Sequence, residues 1–238
     1  NIDTRGLADV SKVCNKINFA VYDSIGVRVK SVAQSSDNDK DFGLIKVSLP
    51  EGNYKVVALA HNGNTNASTT KLNRITFNGK VTDTFYHSDD ILVKANSDYQ
   101  MTLKRCAAKI LFTVEDKVPD DVKQIKFYYT GGSSTLDGAS GLGCVNSRQT
   151  ELRDVKVEAH ADSSVYELYT FPQYDNSCLN ITVSCIDKSG NVVYESLFDD
   201  VYVAACGTTK YSGKLFSVSE TVSSKANDEM SKVENYKD

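Results

Sequence analysis

The sequence predicts an all-β protein with two β-sandwich domains, and three observations support this prediction. Short segments of alternating apolar and polar residues follow one another along the 238 residues, with turn-forming residues between them about every 8–12 positions. Tyr, Val and Thr, which favour strands, are abundant, and continuous helical patterns are rare. The second half of the chain also repeats features of the first, which indicates two similar domains.

The first predicted element is a β-hairpin. Residues 17–21 alternate, so Ile17, Phe19 and Val21 share one face of a strand. Residues 23–26 (DSIG) form a type I turn, in which the Asp carboxylate accepts backbone hydrogen bonds and the Gly tolerates a positive φ. The return strand begins at Val27, and this order of strand, turn and strand is typical of a hairpin.

The remainder of the first half alternates in the same way. Residues 54–60 (YKVVALA) are apolar on both faces, which predicts a central strand covered on both sides. A turn over residues 50–53 precedes this strand, and a polar loop over 61–70 follows it. The other strands predicted here lie over residues 45–49, 74–77, 84–86, 91–93 and 99–103.

The second half predicts a further set of strands around a long loop. Residues 131–150 are dense in Gly, Ser and Thr, and we interpret them as a mobile loop or a recognition surface. Residues 185–190 (CIDKSG) repeat the strand, Asp turn and Gly of residues 21–26. The predicted strands lie over residues 108–114, 125–129, 165–171, 179–186, 192–196, 201–205 and 211–216.

These elements divide into two domains and a tail. We expect an N-terminal β-sandwich domain over residues 1–105, whose residues 1–16 form a flexible lead or a loose helix, and a C-terminal β-sandwich domain over residues 106–218. Residues 219–238 are polar and charged, which predicts a frayed or disordered tail that ends in a short helix at most.

Composition excludes several classes of protein. The net charge of −4 argues against a nucleic-acid-binding protein, which normally has a basic face. The sequence contains no run of about 18 apolar residues, which a membrane-spanning helix would need. The 6 cysteines contain no C-x-x-C pair and no zinc spacing; their even number allows disulfides, although small buried thiols fit the composition better. Because residue 1 is Asn, we expect a processed or trimmed chain.

The sequence contains no pattern of residues typical of an active site. The 3 histidines lie far apart, and the three Asp pairs precede strands or turns, where Asp is favoured by local hydrogen bonds. The Gly-rich residues 131–138 lack the Lys-Ser/Thr ending of a phosphate-binding loop. We therefore predict a protein that is not an enzyme, with no catalytic residues, no cofactor and no metal site.

Several ordered motifs resemble a known family. Residues 49–58 (LPEGNYKVVA) resemble the strand–turn–strand of transthyretin-like sandwiches. Together with six further motifs, they resemble the fimbrillin-A-associated anchor family of the Bacteroidales over roughly residues 16–216. The further motifs are residues 83–86 (DTFY), 102–109 (TLKRCAAK), 127–135 (FYYTGGSST), 141–150 (GLGCVNSRQT), 169–172 (YTFP) and 211–213 (YSG).

The resemblance implies a fold, a location and partners. It implies two tandem transthyretin-like (Ig-like, Greek-key) β-sandwiches in a non-catalytic subunit of a cell-surface fimbrium, either the outer-membrane anchor or a tip-type component. It implies a lipoprotein held in the membrane only by an N-terminal lipid, and association with fimbrial stalk or accessory subunits by β-strand addition. No Cys stands at position 1, and Cys14 lacks a preceding apolar signal, so the lipidation site is expected upstream.

Two alternatives stay open at this point. The Tyr content and residues 131–150 also suit a stand-alone surface adhesin or carbohydrate-binding module with a host or glycan ligand, because exposed aromatic rings stack on sugars. Residues 1–16 and 218–238 are candidates for a donor strand, a displaced strand or a tether, or they are simply frayed ends.

Overall fold

The chain is almost entirely β-structure, as the sequence predicts. The computed structural model describes residues 10–174, 177–216 and 230–237, which contain a one-turn helix α1 (Val10–Val13), a 3-10 helix (Val157–His160) and sixteen strands. The strands are β1 (Lys16–Tyr22), β2 (Arg28–Ser35), β3 (Gly52–His61), β4 (Ser68–Lys71), β5 (Arg74–Thr76), β6 (Thr84–Val93), β7 (Lys104–Arg105), β8 (Ala108–Val114), β9 (Val122–Thr130), β10 (Thr135–Leu136), β11 (Gln149–Asp154), β12 (Ser164–Thr170), β13 (Ser177–Asp187), β14 (Val192–Val203), β15 (Gly207–Gly213) and β16 (Met230–Lys237).

The chain divides into two compact units. Unit 1 comprises Asn1–Ala107 and Ser134–Val145, and unit 2 comprises Ala108–Ser133 and Asn146–Asp238. The chain therefore returns to unit 1 after the first two strands of unit 2. The domain boundaries predicted from the sequence stay a prediction, and they did not include this return.

Unit 2 is a sandwich of two four-stranded sheets. One sheet has the order β11-β9-β13-β14 and the other the order β12-β8-β15-β16, in which β15 is parallel to β8. Buried residues of both sheets form one core, which includes a cluster of aromatic rings around Phe112. This arrangement follows from strands that present apolar residues at every second position to a shared interior.

The main sheet of unit 1 has five strands in the order β2-β1-β3-β6-β7. Its central strands β1 and β3 are buried on both faces, which confirms the prediction for residues 54–60. On one face, β1 contacts β4 of a small sheet with the order β10-β5-β4, and the Tyr22 hydroxyl donates a hydrogen bond to the Thr69 carbonyl (2.6 Å). The other face contains Phe19, Val21 and Val56 and is described with the candidate site below.

Both predicted Asp turns have the expected geometry. Oδ1 of Asp23 accepts hydrogen bonds from the N–H groups two and four residues further along the chain (3.1 and 2.9 Å), and Oδ1 of Asp187 does the same (2.8 Å each). Gly26 and Gly190 have φ values of 80° and 86°, a region that only glycine occupies without strain. The repeat recognised in the sequence therefore corresponds to the same type of turn, formed once at Asp23 and again at Asp187.

The structure corrects the prediction of a long loop over residues 131–150. Residues 134–145 are folded into unit 1, where β10 pairs with β5 and Leu136 is fully buried. The Tyr86 hydroxyl donates to the Gly138 carbonyl (2.9 Å), and the Gly138 N–H donates to the Leu72 carbonyl (2.7 Å). Residues 149 and 150 already belong to β11. Turn-forming residues predicted the absence of long strands here but not the contacts that hold the segment.

Several predicted strands have different limits. The predicted segments 84–86 and 91–93 are parts of the single strand β6, and 192–196 and 201–205 are parts of β14. In β14 the expected break at residues 199–200 is a local irregularity, because Asp200 takes a φ of 53° and the register with β13 shifts opposite it while pairing continues on both sides. Residues 45–49 and 99–103, predicted as strands, are not assigned to any strand.

The two chain ends differ in their agreement with the prediction: α1 fits the loose helix allowed for residues 1–16, whereas the tail departs from its prediction where it is described. Residues 230–237 form β16, which pairs with β15, so this part of the tail is neither frayed nor helical. Pairing satisfies the N–H and C=O groups that the outer edge of β15 would otherwise leave open. At the other end α1 occupies part of the predicted lead. Residues 1–9, 217–229 and 238 lie outside the described residues.

Candidate functional site

The histidines are structural in their contacts. His61 is 1% exposed; its Nε2 lies 2.9 Å from Asn18 Oδ1, and its Nδ1 accepts the Gly63 N–H (3.0 Å). Burial is the main cause that lowers the pKa of His61 to about 4, with a smaller contribution from Lys16. His87 and His160 each place Nδ1 within 2.9 Å of a backbone carbonyl oxygen. The three rings share no site.

The cysteines are free, and they differ in burial. Cys14, Cys106 and Cys185 are buried, which agrees with the interpretation as small buried thiols, whereas Cys144 and Cys178 are exposed and contradict it. Burial raises the pKa of the Cys14 and Cys185 thiols to about 12, so neither is a ready nucleophile at neutral pH. In the part of the chain that the structure describes, no group of three or more His, Cys, Asp or Glu side chains is arranged to hold a metal ion.

The main cavity of interest is a groove in unit 1 with a volume of about 640 Å³, an apolar floor and walls of mixed polarity. Its floor is the face of the five-stranded sheet that carries Phe19, Val56 and Ile91. Its walls are two segments outside the strands: residues 45–49 form one wall, and residues 94–103 form the other. Met101, 7% exposed, packs from the second wall onto the floor. We call this feature the groove.

The walls explain why the groove exists. Ile45, Val47 and Leu49 alternate with polar residues in a strand-like pattern, as do Tyr99, Met101 and Leu103. Neither segment is a hydrogen-bonded strand within the described ranges. In a complete sandwich the second layer is a sheet, and its strands pair side by side. Here, among the described residues, the layer contains two segments that no assigned strand joins.

The apolar floor of the groove continues at one end into a second cluster beside α1. Cys14 is buried in a cluster with Ile17 and Ala60, and Ile45 of the first wall and Leu103 of the second both pack against this cluster. The same two wall residues also pack against the floor cluster around Phe19. The apolar surface is therefore continuous from the groove to Cys14, and α1 with Cys14 lies where it ends.

The sequence did not predict this site. Its signal was present as two alternating segments, 45–49 and 99–103, whose apolar faces required burial. Alternating apolar and polar residues indicate that one face of a segment is buried, but they do not show whether its backbone pairs with another strand. Both segments were therefore predicted as ordinary strands.

The exposed aromatic rings do not form a platform. Among the described residues, Tyr99 is 39% exposed in unit 1 and Tyr174 is 72% exposed in unit 2, so the two belong to different units. No helix in the described part of the chain is both long and apolar enough to cross a membrane.

Comparison with known proteins assigns the family. The sequence model of the fimbrillin-A associated anchor proteins Mfa1 and Mfa2 matches residues 8–211. The chain belongs to this family. The resemblance seen in the ordered motifs is confirmed, and it identifies a fimbrial or adhesin-like surface protein rather than a member of an enzyme family. No curated protein is a significant match to the sequence.

Solved structures of low sequence identity resemble the fold of this chain. A candidate adhesin from Bacteroides ovatus has a TM-score of 0.54 and 11% identity, with 82% of this chain and 73% of that chain covered. A candidate polysaccharide-binding protein from Bacteroides thetaiotaomicron has a TM-score of 0.52 and 12% identity, covering 89% and 87%. The fimbrial anchor protein Mfa2 from Porphyromonas gingivalis matches with a TM-score of 0.47 and 10% identity, covering 99% and 93%.

Proposed function

We propose that this member of the anchor family is a non-catalytic subunit of a fimbrium, either its outer-membrane anchor or a tip-type component. It joins a stalk or accessory subunit by β-strand addition, and the groove of unit 1 receives the partner's strand. The observation that carries the proposal is the pair of groove walls, which alternate in polarity at residues 45–49 and 99–103 but belong to no described strand.

Strand addition fits the chemistry of the groove. An inserted strand would place every second side chain on the apolar floor of Phe19 and Val56 and would offer its N–H and C=O groups to both walls. Main-chain hydrogen bonds supply affinity in this mode, and the buried side chains supply specificity. A compact polar ligand would leave the floor uncovered.

A partner supplies the strand better than this chain does. Residues 1–9 (NIDTRGLAD) and 217–229 (SVSETVSSKANDE) have no run of apolar residues at every second position. β16 is already paired with β15. These segments do not offer a full row of apolar side chains, and we propose that the occupant of the groove is a strand of another subunit. Attachment to the outer membrane through a lipid on an upstream Cys is also part of the proposal, and family membership supports it.

A matched pair of substitutions tests the groove. Met101 lies in the groove, whereas the neighbouring Thr102 is exposed. Met101→Glu places a charge where the partner's apolar row would lie and should weaken binding of purified stalk subunits from the same strain at least about tenfold. Thr102→Glu adds the same charge outside the groove and should leave binding within about twofold.

Two controls complete the experiment. Thermal unfolding checks that Met101→Glu is folded, and Leu49→Gln replaces it if it is not. Stalk-subunit binding that is unchanged in both groove variants would refute the groove as the acceptor. Mass spectrometry of the protein from its native outer membrane tests the anchor proposal, because an acylated N-terminal Cys peptide is expected and an unacylated N-terminus contradicts it.

A further inference from the structure

The cluster around Cys14 adjoins one end of the groove and therefore bears on the length of the strand that the groove can accept. We infer that α1 and Cys14 form an end stop, which limits an inserted strand to about five residues. This inference rests on the proposed function and adds the length of the partner's segment.

The end stop touches both walls. Ile45 and Leu103, one from each wall, pack against the cluster that contains Cys14. Val10 of α1 approaches the backbone at the start of the first wall so closely that a Cβ on Gly43 would lie 3.3 Å from Val10 Cγ1. Gly43 also has a φ of 95°, so this contact depends on glycine. A strand that extended further would have to occupy the volume that these side chains fill.

The start of the first wall is fixed independently. The Gln34 side chain donates from Nε2 to the carbonyls of Asp41 (3.2 Å) and Leu44 (3.0 Å), and its Oε1 accepts the Gly43 N–H (2.9 Å). Gln34 is itself buried in β2. The wall is therefore tied to the main sheet at the same end as α1, and it cannot move aside without breaking these three hydrogen bonds.

α1 is fixed to the main sheet by Asn62. The Asn62 Nδ2 donates to the Val13 carbonyl (2.7 Å), and its Oδ1 accepts the Asn15 N–H (3.1 Å). The Asn15 N–H also lies 3.2 Å from the His61 carbonyl oxygen, at the end of β3. This one exposed side chain thus joins both sides of the turn between α1 and β1, and its removal should loosen the stop without disturbing the floor.

The geometry sets the expected length. Between the contact at Ile45 and the bend at Glu51, the chain offers residues 46–50, which corresponds to about 17 Å at about 3.3 Å per residue. A strand of about five residues fills this length and buries two or three side chains. A longer strand would form no additional contacts inside the groove unless it displaced α1, and this displacement would expose Cys14.

The test uses labelled peptides of five, seven and nine residues, with valine at every second position and threonine between. Their affinities for the full chain are measured by fluorescence anisotropy. Iodoacetamide labelling of Cys14, quantified by mass spectrometry of its proteolytic peptide, is followed in the same samples. In the wild type, affinity should stop rising at about five residues, and Cys14 should stay unmodified with every peptide.

A variant and its control separate the end stop from general loosening. Asn62→Ala should allow the nine-residue peptide to bind about tenfold more tightly than the five-residue peptide, with Cys14 labelled in parallel. Asn64→Ala, in the same loop and exposed, should behave as the wild type. Affinity that keeps rising with length in the wild type, with Cys14 labelled, would overturn the end stop and leave the groove intact. Absence of binding by every peptide would overturn the proposed function and the end stop together.

Discussion

Lowering the pH from 7 to 4 should destabilise unit 1 through His61. The ring is buried, and Nδ1 accepts a hydrogen bond from the Gly63 N–H, which requires the neutral form with the proton on Nε2. Nε2 then donates to Asn18 Oδ1, an oxygen that also accepts the Ala67 N–H (3.0 Å). Protonation of Nδ1 would place its N–H against the Gly63 N–H, so that two donors face each other in a buried site.

The size and sign of the effect follow from the pKa. Burial lowers the pKa of His61 from 6.5 to about 4, so the unfolded chain binds the proton first as the pH falls. The stability contributed by the neutral ring is present above pH 6.5 and is lost progressively as the pH falls to 4. A difference of about 2.5 units at about 1.4 kcal/mol per unit corresponds to roughly 3 kcal/mol.

Hydrogen exchange of β3 in the full chain measures this loss in unit 1, because a single melting temperature does not separate two units. The wild type should lose roughly 3 kcal/mol of protection between pH 7 and pH 4 beyond the loss in His61→Gln, which cannot titrate there. His87→Gln should behave as the wild type, since its ring is more exposed. Equal losses in the wild type and His61→Gln would refute the reasoning.

Three further results are expected from the same contacts. Gly138→Val should lower the urea midpoint of unit 1, because its Cβ would lie 2.8 Å from Ile75 Cδ1; a cost of about 1–3 kcal/mol is expected, and an unchanged midpoint would contradict the packing. Tyr129→Phe should destabilise unit 2 by about 1–3 kcal/mol in urea, because its hydroxyl donates to the buried Glu151 carboxylate (2.9 Å), and a neutral effect would argue against that bond. Iodoacetamide should label the exposed Cys144 in native protein well before any buried thiol, and peptide mapping that gives uniform labelling would show that the buried sites open.

Patterns that depend on neighbouring residues were predicted well from the sequence. The hairpin turn at Asp23 was recognised because its hydrogen bonds lie within four residues. The double-sided burial of β3 was recognised because its apolar residues occupy both faces. The same reasoning predicted strands at residues 45–49 and 99–103, where the side-chain pattern is correct but no strand is assigned. These two incorrectly predicted strands belong to the walls of the groove.

Features that depend on distant partners were missed. Residues 134–145 carry the glycines and serines of a loop, and no local signal indicates that Leu136 is buried in unit 1 beside Ile75. The sequence of residues 230–237 is polar and lacks alternation, so no local pattern indicates that this segment pairs with β15. Sequence patterns indicate whether side chains need burial, whereas the positions of these two elements depend on pairing with segments that are distant in the sequence.

The groove favours a polypeptide over a sugar as the ligand. A sugar ring stacks on a flat aromatic face, whereas the floor carries Val56 and the buried ring of Phe19, and Tyr99 lies in the second wall. A β-strand suits the apolar floor, because every second side chain along the strand would cover it. The chemistry of unit 1 therefore supports, independently of the family assignment, the proposal that a strand from another subunit fills the groove.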